Sequence, residues 1–159
     1  MIDGPGLFGK SPETGDFISR NLSQGMRRAI DGWVTVHLAA RREGWPDGGL
    51  RGLLEIGDDL VLMLAVPSAD RVGRHFPLVV LTGGAGLSLE EAEVWCDGAL
   101  EIVGLAARGE VGIDATLQDL RQIEPGSRDG PSGIAALWLA GDDPAPCDAT
   151  TIDALFSSD

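Results

Sequence analysis

The chain has 159 residues, 43% of them apolar, and this size and composition predict one domain with a substantial core. Its 12 basic and 25 acidic side chains give a net charge of −13, which repels phosphate backbones and anionic lipid, so neither nucleic acid nor a membrane is an expected partner. The absence of a membrane-length apolar run, a visible secretory signal and a Cys/His cluster predicts a cytoplasmic protein with two idle thiols, Cys96 and Cys147, and no metal.

The first segment, Gly4–Ser11, matches the phosphate-loop pattern G-x-x-x-x-G-K-[ST]. Such a loop needs a buried strand before it and a helix that begins at the lysine. Only Met1–Asp3 precede the match, and Pro12 disfavours a helical conformation at the residue before it. A nucleotide-binding protein or NTPase that uses Gly4–Ser11 is therefore kept as the alternative interpretation.

The rest of the N-terminal region reads as extended chain followed by a helix. Segment 4–21 is interrupted by glycine and proline, with strand-like pieces at Gly6–Lys10 and Asp16–Ser19. Apolar residues then repeat at helical spacing, and we expect a helix capped by Ser23 that runs to about Arg42.

Three short apolar segments follow. Leu50–Ile56 and Leu60–Val66 flank Gly57–Asp59, a spacing typical of a β-hairpin. Pro77–Thr82 is a third apolar strand. Three consecutive strands with short connections predict an antiparallel meander.

Two helices are predicted after the meander. Ser88 and Glu91 have capping-box spacing and open a long amphipathic helix that stops at Gly109. Asp114 is expected to cap a shorter helix that runs to about Gln122.

The C-terminal part contains one more strand, Gly133–Ala140. Residues 1–141 are expected to form the single domain, and residues 142–159 an acidic tail that can form a short helix at Thr150–Phe156. This order of elements predicts an α+β fold in which helices pack on an antiparallel sheet of about five to six strands.

Lys10 is the only lysine, and the other fixed cations are arginines. An ammonium is a compact point charge, whereas a guanidinium is a planar fork, so a lone lysine indicates that its compact charge is needed there. Phe8 and Phe17 lie in the same short segment.

Segment 67–77 carries two arginines and a histidine within five residues of an otherwise acidic chain. The arginines could bind a carboxylate or phosphate. Alternatively, Asp70 and the arginines tie the loop to Asp16 or to the sheet, while Phe76 fills the core. The structural interpretation is preferred, because charged loop residues are more often structural or solvated than catalytic.

Catalytic patterns are weak. Ser68 lacks the G-x-S-x-G elbow, and neither His37 nor His75 has a local partner pattern. No acid–base pair can be assembled from sequence, so we expect no enzyme activity, catalytic residue or cofactor.

The two segments together resemble the signatures of the TagF family, accessory proteins of bacterial type VI secretion systems. Residues 5–17 fit P-G-x-[FY]-G-K-x-P-x-x-G-D-F, with Arg20 following and Trp33 on the next helix. Residues 67–78 fit P-S-x-D-R-V-G-R-x-F-P-L.

The resemblance implies a cytoplasmic, non-enzymatic regulator with a longin or SNARE-like fold. Family members are associated with post-translational repression of type VI secretion, acting with the forkhead-associated (FHA) scaffold protein of that system. We expect the motif residues to build one surface through which this partner binds, whereas a purely structural role for both motifs remains open. The candidate residues are Phe8, Lys10, Asp16, Phe17, Arg20, Ser68, Asp70, Arg71, Arg74 and Phe76.

Overall fold

A computed structural model describes residues 2–124, 126–131 and 133–157. The strands are β1 (Gly6–Gly9), β2 (Ile18–Arg20), β3 (Leu50–Ile56), β4 (Asp59–Val66), β5 (Leu78–Gly83), β6 (Ala136–Leu139) and β7 (Ala145–Pro146). The helices are α1 (Gln24–His37), α2 (Leu89–Ala107), α3 (Ile113–Leu120) and α4 (Ala149–Phe156).

The strands form one antiparallel seven-stranded sheet in the order β2-β1-β5-β4-β3-β6-β7. The α+β class and the central meander are confirmed. The sheet is slightly larger than predicted, and its outermost strand, β7, is only a two-residue pairing with β6. At the β3–β4 turn Gly57 has φ +61°, a conformation that glycine adopts at little cost in tight hairpins.

The sheet is covered on both faces, which explains its almost continuously apolar strands. Alternate residues of β4 divide between two cores. Leu62 and Leu64 pack in the core that contains α2, whereas Val61, Met63 and Ala65 pack in the core that contains α1 and α4.

The predicted capping box is present, and Ser88 and Glu91 satisfy each other's backbone N–H groups at the start of α2. The predicted cap of α3 is wrong. This helix begins at Ile113, so that Asp114 lies in its first turn, and the Glu13 carboxylate accepts the Ile113 N–H at 3.0 Å. A side chain from the N-terminal segment thus supplies the cap.

Helix α1 ends at His37, before the predicted end near Arg42. The capping residue that follows it, Leu38, is fully buried, and Arg41 folds back so that its Nε donates to the His37 carbonyl at 2.8 Å. This arginine satisfies a free carbonyl at the helix end, as basic residues in a last turn commonly do.

The C-terminal segment packs against the same domain. Asp148 caps α4 by accepting the Thr151 N–H at 2.8 Å, and Ile152 and Phe156 are buried in the core that contains α1. The Phe156 ring meets that of Trp45 edge-on, with 4.9 Å between centroids. Within the described ranges, no helix combines the length and apolarity required to cross a membrane.

Candidate functional site

The two sequence motifs meet at one end of the sheet. Strand β1 pairs with β5, and the Lys10 N–H donates to the Pro77 carbonyl at 3.4 Å. Gly9 has φ +137°, and a Cβ atom there would lie 2.1 Å from the Pro77 carbonyl oxygen. Glycine is therefore required for the close approach that brings the first motif beside the second. We call segments 8–17 and 68–77 together the motif corner.

Asp70 is the centre of the motif corner. Its carboxylate is buried, and Oδ2 accepts from Lys10 Nζ at 3.1 Å and from Arg74 Nε at 2.7 Å. Oδ1 accepts the backbone N–H groups of Val72 and Arg74, both at 3.0 Å. One carboxylate thus joins the two motifs and fixes the turn that follows it.

These contacts determine the ionisation of the carboxyl group. Burial alone would raise the pKa of Asp70, but the Arg74 N–H, the Lys10 and Arg74 side chains and the Val72 N–H together hold it well below its usual range. Asp70 is therefore a carboxylate at neutral pH, paired with two cations.

Two backbone carbonyls of the first motif accept hydrogen bonds from segment 68–77, which we call the arginine segment. The Arg71 N–H donates to the Thr14 carbonyl at 2.8 Å, and Arg74 Nη2 donates to the Gly15 carbonyl at 2.9 Å. Asp16 is exposed, and its N–H donates to Thr14 Oγ1 at 3.0 Å. The Thr14 and Gly15 carbonyls, rather than the Asp16 carboxylate, therefore receive the arginine segment.

Three aromatic rings pack beneath these contacts. The Phe8 and Phe17 rings are stacked at 5.9 Å, and Phe76 meets both edge-on, at 6.0 and 4.8 Å respectively. Lys10 Nζ lies 4.8 Å from the centre of the Phe17 ring, which adds a cation–π contact. Phe8 and Phe76 are buried, and their packing holds Phe17 in place.

The outward side of the motif corner is apolar and cationic. Phe17 is 51% exposed and Val72 is 70% exposed. The Arg71 side chain is also exposed, and its Nη2 lies 3.8 Å from the position that a Cβ atom of Gly15 would take. We call Phe17, Arg71 and Val72 the outer patch.

Of the remaining candidates from the sequence, Arg20 lies outside the motif corner, whereas Ser68 begins its second segment. Arg20 pairs with Asp114 of α3 at 3.1 Å, on the exposed surface. Ser68 accepts the Phe76 N–H on its carbonyl at 3.1 Å. The Ser68 hydroxyl is buried without a hydrogen-bond partner among the described residues.

The phosphate-loop match at residues 4–11 has a different structure. Strand β1 leads into a turn at residues 12–16, and the first helix in the described chain begins only at Gln24. The Lys10 ammonium is bonded to Asp70 and its residue is only 9% exposed. The segment therefore lacks the helix N-terminus that such a site places against phosphate.

Sequence reasoning missed a second buried polar group. Arg51 of β3 is fully buried, and its Nη1 lies 2.8 Å from both Glu93 Oε1 and Asp97 Oδ1 of α2. Glu93 also accepts Trp138 Nε1 at 2.6 Å and the Gly141 N–H at 2.8 Å. Burial raises the pKa of Glu93, but these donors outweigh it and lower the pKa overall. The signal in the sequence was an arginine in a strand whose other residues, apart from Glu55, are apolar or glycine.

The two thiols and the His37 ring, which are groups that can act in catalysis, are at least partly buried or packed against another ring. Burial raises the pKa of the Cys96 thiol to about 12, and burial also raises that of Cys147. The His37 ring packs 4.9 Å from that of Trp33. In the part of the chain that the structure describes, no group of three or more His, Cys, Asp or Glu side chains could hold a metal ion.

Comparisons with known proteins identify the family and a structure with the same fold. The model of a family described as TagF N-terminal domain, Type VI secretion system-associated, matches residues 6–123. The crystal structure of PA0076 from Pseudomonas aeruginosa PAO1 is similar, with a TM-score of 0.62 and 22% identity, over 96% of this chain and 77% of that one. At this identity the likeness shows a shared fold. No curated protein matches the chain.

Proposed function

Because the chain belongs to the TagF N-terminal domain family, which is type VI secretion system-associated, we propose that it is a cytoplasmic accessory regulator that represses such a system. The family match carries this proposal, since it spans the whole motif corner. The repression is post-translational and is exerted through protein–protein contact.

The partner in this proposal is the FHA scaffold protein of the same system, and the outer patch is its docking site. Lys10 and Asp70 are buried and bonded to each other, so they hold the surface in shape and make little contact with a partner, whereas Arg74 pairs with Asp70 but keeps 64% of its side chain exposed. Phe17 and Val72 remain exposed above them. Aromatic and arginine side chains are enriched at protein interfaces, where a fixed ring is immobilised at low entropic cost.

The charge of the patch indicates the kind of surface that it meets. Arg71 is exposed in a chain of net charge −13. An acidic group on the scaffold would therefore be attracted to Arg71 and repelled by most of the remaining surface. The apolar pair Phe17 and Val72 would then be desolvated beside a charge-assisted contact. Neither the apolar nor the charged contact requires a chemical step, and we infer that the protein represses secretion by binding the scaffold alone.

A secretion assay tests the proposal. The chain is overproduced in a bacterium with an active type VI system, and the components that this system releases into the medium are quantified. Wild-type protein is expected to reduce secretion and to be recovered with the tagged FHA scaffold. Undiminished secretion at high levels of folded protein would contradict the repressor role.

The chain offers a matched pair of variants for this assay. Val72→Asp places a charge in the outer patch, and Val36→Asp places the same charge on α1, where Val36 is 76% exposed. We expect only Val72→Asp to restore secretion. If both variants repress like the wild type, the docking surface lies elsewhere and the motifs are structural.

A further inference from the structure

A concave surface lies beside α2 and shares no residue with the outer patch. It is a groove of about 700 Å³ between α2, the end of β4 and segment 45–47. Val66 and Leu100 in its lining belong to the core that contains α2, whereas Trp45 packs against the core that contains α1. The principal lining residues are Trp45, Pro46, Val66, Pro67, Leu100 and Gly104.

A glycine within α2, Gly104, lines the groove. Glycine lowers helix stability relative to alanine, so a glycine inside α2 needs a reason. Gly98 has one, because a Cβ atom there would already touch the Ile123 side chain at 3.5 Å. A Cβ atom on Gly104 would instead meet only the mobile end of Arg108, at 3.3 Å from Nη1. Packing within the chain therefore does not explain Gly104, whereas an open groove does.

The rim of the groove is acidic. Asp47 and Glu101 line it, both are exposed, and neither forms an ion pair among the residues described. The one basic residue of the lining, Arg108, is engaged by Glu110 at 2.6 Å. The groove thus combines an apolar floor with two available carboxylates.

We propose that this groove binds an extended segment of a partner protein, with an apolar side chain over Gly104 and flanking Lys or Arg side chains at Asp47 and Glu101. Charge complementarity selects this occupant, because a second copy of a chain of net charge −13 would bring an acidic rim against an acidic surface. Concave apolar surfaces of this size with a few polar groups are typical of specific binding sites. The groove is separate from the outer patch, and its occupancy does not depend on the proposed function.

The experiment uses a fluorescein-labelled pentapeptide, Lys-Leu-Phe-Lys-Arg, and fluorescence anisotropy with the whole chain. Lys-Gly-Gly-Lys-Arg and Ser-Leu-Phe-Ser-Ser serve as probes without the apolar or the basic side chains. Gly104→Leu fills the groove without changing charge, and the double variant Asp47→Asn/Glu101→Gln removes the rim. The control double variant Glu90→Gln/Asp119→Asn removes two exposed acids elsewhere.

We expect the first peptide to bind the wild type more tightly than either altered peptide. Gly104→Leu should weaken its binding by about tenfold or more while the melting temperature is kept or raised. The rim variant should weaken binding similarly and reduce its salt dependence, whereas the control variant should bind within about twofold of the wild type.

Three results would overturn the proposal. The first is equal peptide binding by the wild type and Gly104→Leu. The second is equal weakening by the rim and control variants, which would mean binding to overall negative charge. The third is a concentration-dependent dimer, seen by sedimentation, that Gly104→Leu abolishes, since the occupant would then be a second copy.

Discussion

Lys10 and Asp70, separated by 60 positions in the chain, form a buried ion pair of 3.1 Å that joins the two sequence motifs. The lysine that completes the phosphate-loop pattern is therefore bonded to a carboxylate of the same chain. An Arg74 guanidinium shares the same carboxylate oxygen at 2.7 Å. The pair holds Phe17 and Val72 at the surface, so we expect its loss to lower stability and, through the proposed docking of the FHA scaffold, to weaken binding.

Removal of the lysine tests the expected loss of stability. Lys10→Ala leaves a buried carboxylate with one cation instead of two and removes the contact with the Phe17 ring. Breaking a buried ion pair by truncating one partner is strongly destabilising. We expect the melting temperature in calorimetry to fall by several degrees. Arg42→Ala, at an exposed position, is the control and should melt like the wild type.

The lowered pKa of Asp70 predicts how the stability of the protein depends on pH. The pKa of Asp70 in the folded protein lies below its unfolded value of about 3.9. Its contribution to stability is therefore complete above that pH and is lost as the pH falls towards the folded-state pKa. We expect the loss of unfolding free energy between neutral pH and about pH 3, measured with urea, to be smaller in Asp70→Asn than in the wild type. Equal losses in the two proteins would contradict this role.

Alanine substitutions at Gly9 and at Gly32 are expected to have opposite effects on stability. Gly9→Ala combines a positive φ with a Cβ atom placed 2.1 Å from the Pro77 carbonyl oxygen, so strand β1 must move away from β5. We expect a loss of at least about 2 kcal/mol in unfolding free energy. Gly32 lies in α1 with nothing within 4 Å of an added Cβ atom, and Gly32→Ala should stabilise the protein by about 1 kcal/mol. A gain or no change for Gly9→Ala would contradict the packing described.

Arg51 of β3 and its partners Glu93 and Asp97 of α2 are expected to be energetically coupled. Arg51→Met removes the cation that faces Glu93 and Asp97, and we expect a loss of about 3 kcal/mol in unfolding free energy. The double variant Arg51→Met/Glu93→Gln should lose less than the sum of the single variants, because no unpaired charge is then left at Glu93. Arg108→Met, which breaks an exposed pair, should lose less than about 1 kcal/mol. Additive single losses at Arg51 and Glu93 would rule out the coupling.

Local signals were sufficient for much of the fold. The hairpin between β3 and β4 follows from two apolar runs and a glycine turn, and the start of α2 follows from Ser88 and Glu91. Each depends on residues that are neighbours in the sequence. The α+β class then follows from the order of the elements.

The remaining features depend on contacts between distant residues. Glu13 caps α3 from 100 positions away, and Arg51 meets Glu93 only because α2 packs on the face of the sheet that carries the Arg51 side chain. The end of α1 was misplaced for a similar reason, since burial of Leu38 and the return of Arg41 decide it. In the motif corner, sequence brought the right segments together but could not tell which charges would be buried and which would face outward.

The most direct test of the central claim, that a buried pair presents the outer patch to the FHA scaffold, is calorimetric titration of that scaffold with the folded chain. Arg71→Glu reverses a charge in the outer patch, and Arg42→Glu makes the same change at another exposed position. We expect Arg71→Glu to weaken binding by about tenfold or more with an unchanged melting temperature, and Arg42→Glu to bind like the wild type. Identical affinities for the wild type and Arg71→Glu would contradict the claim.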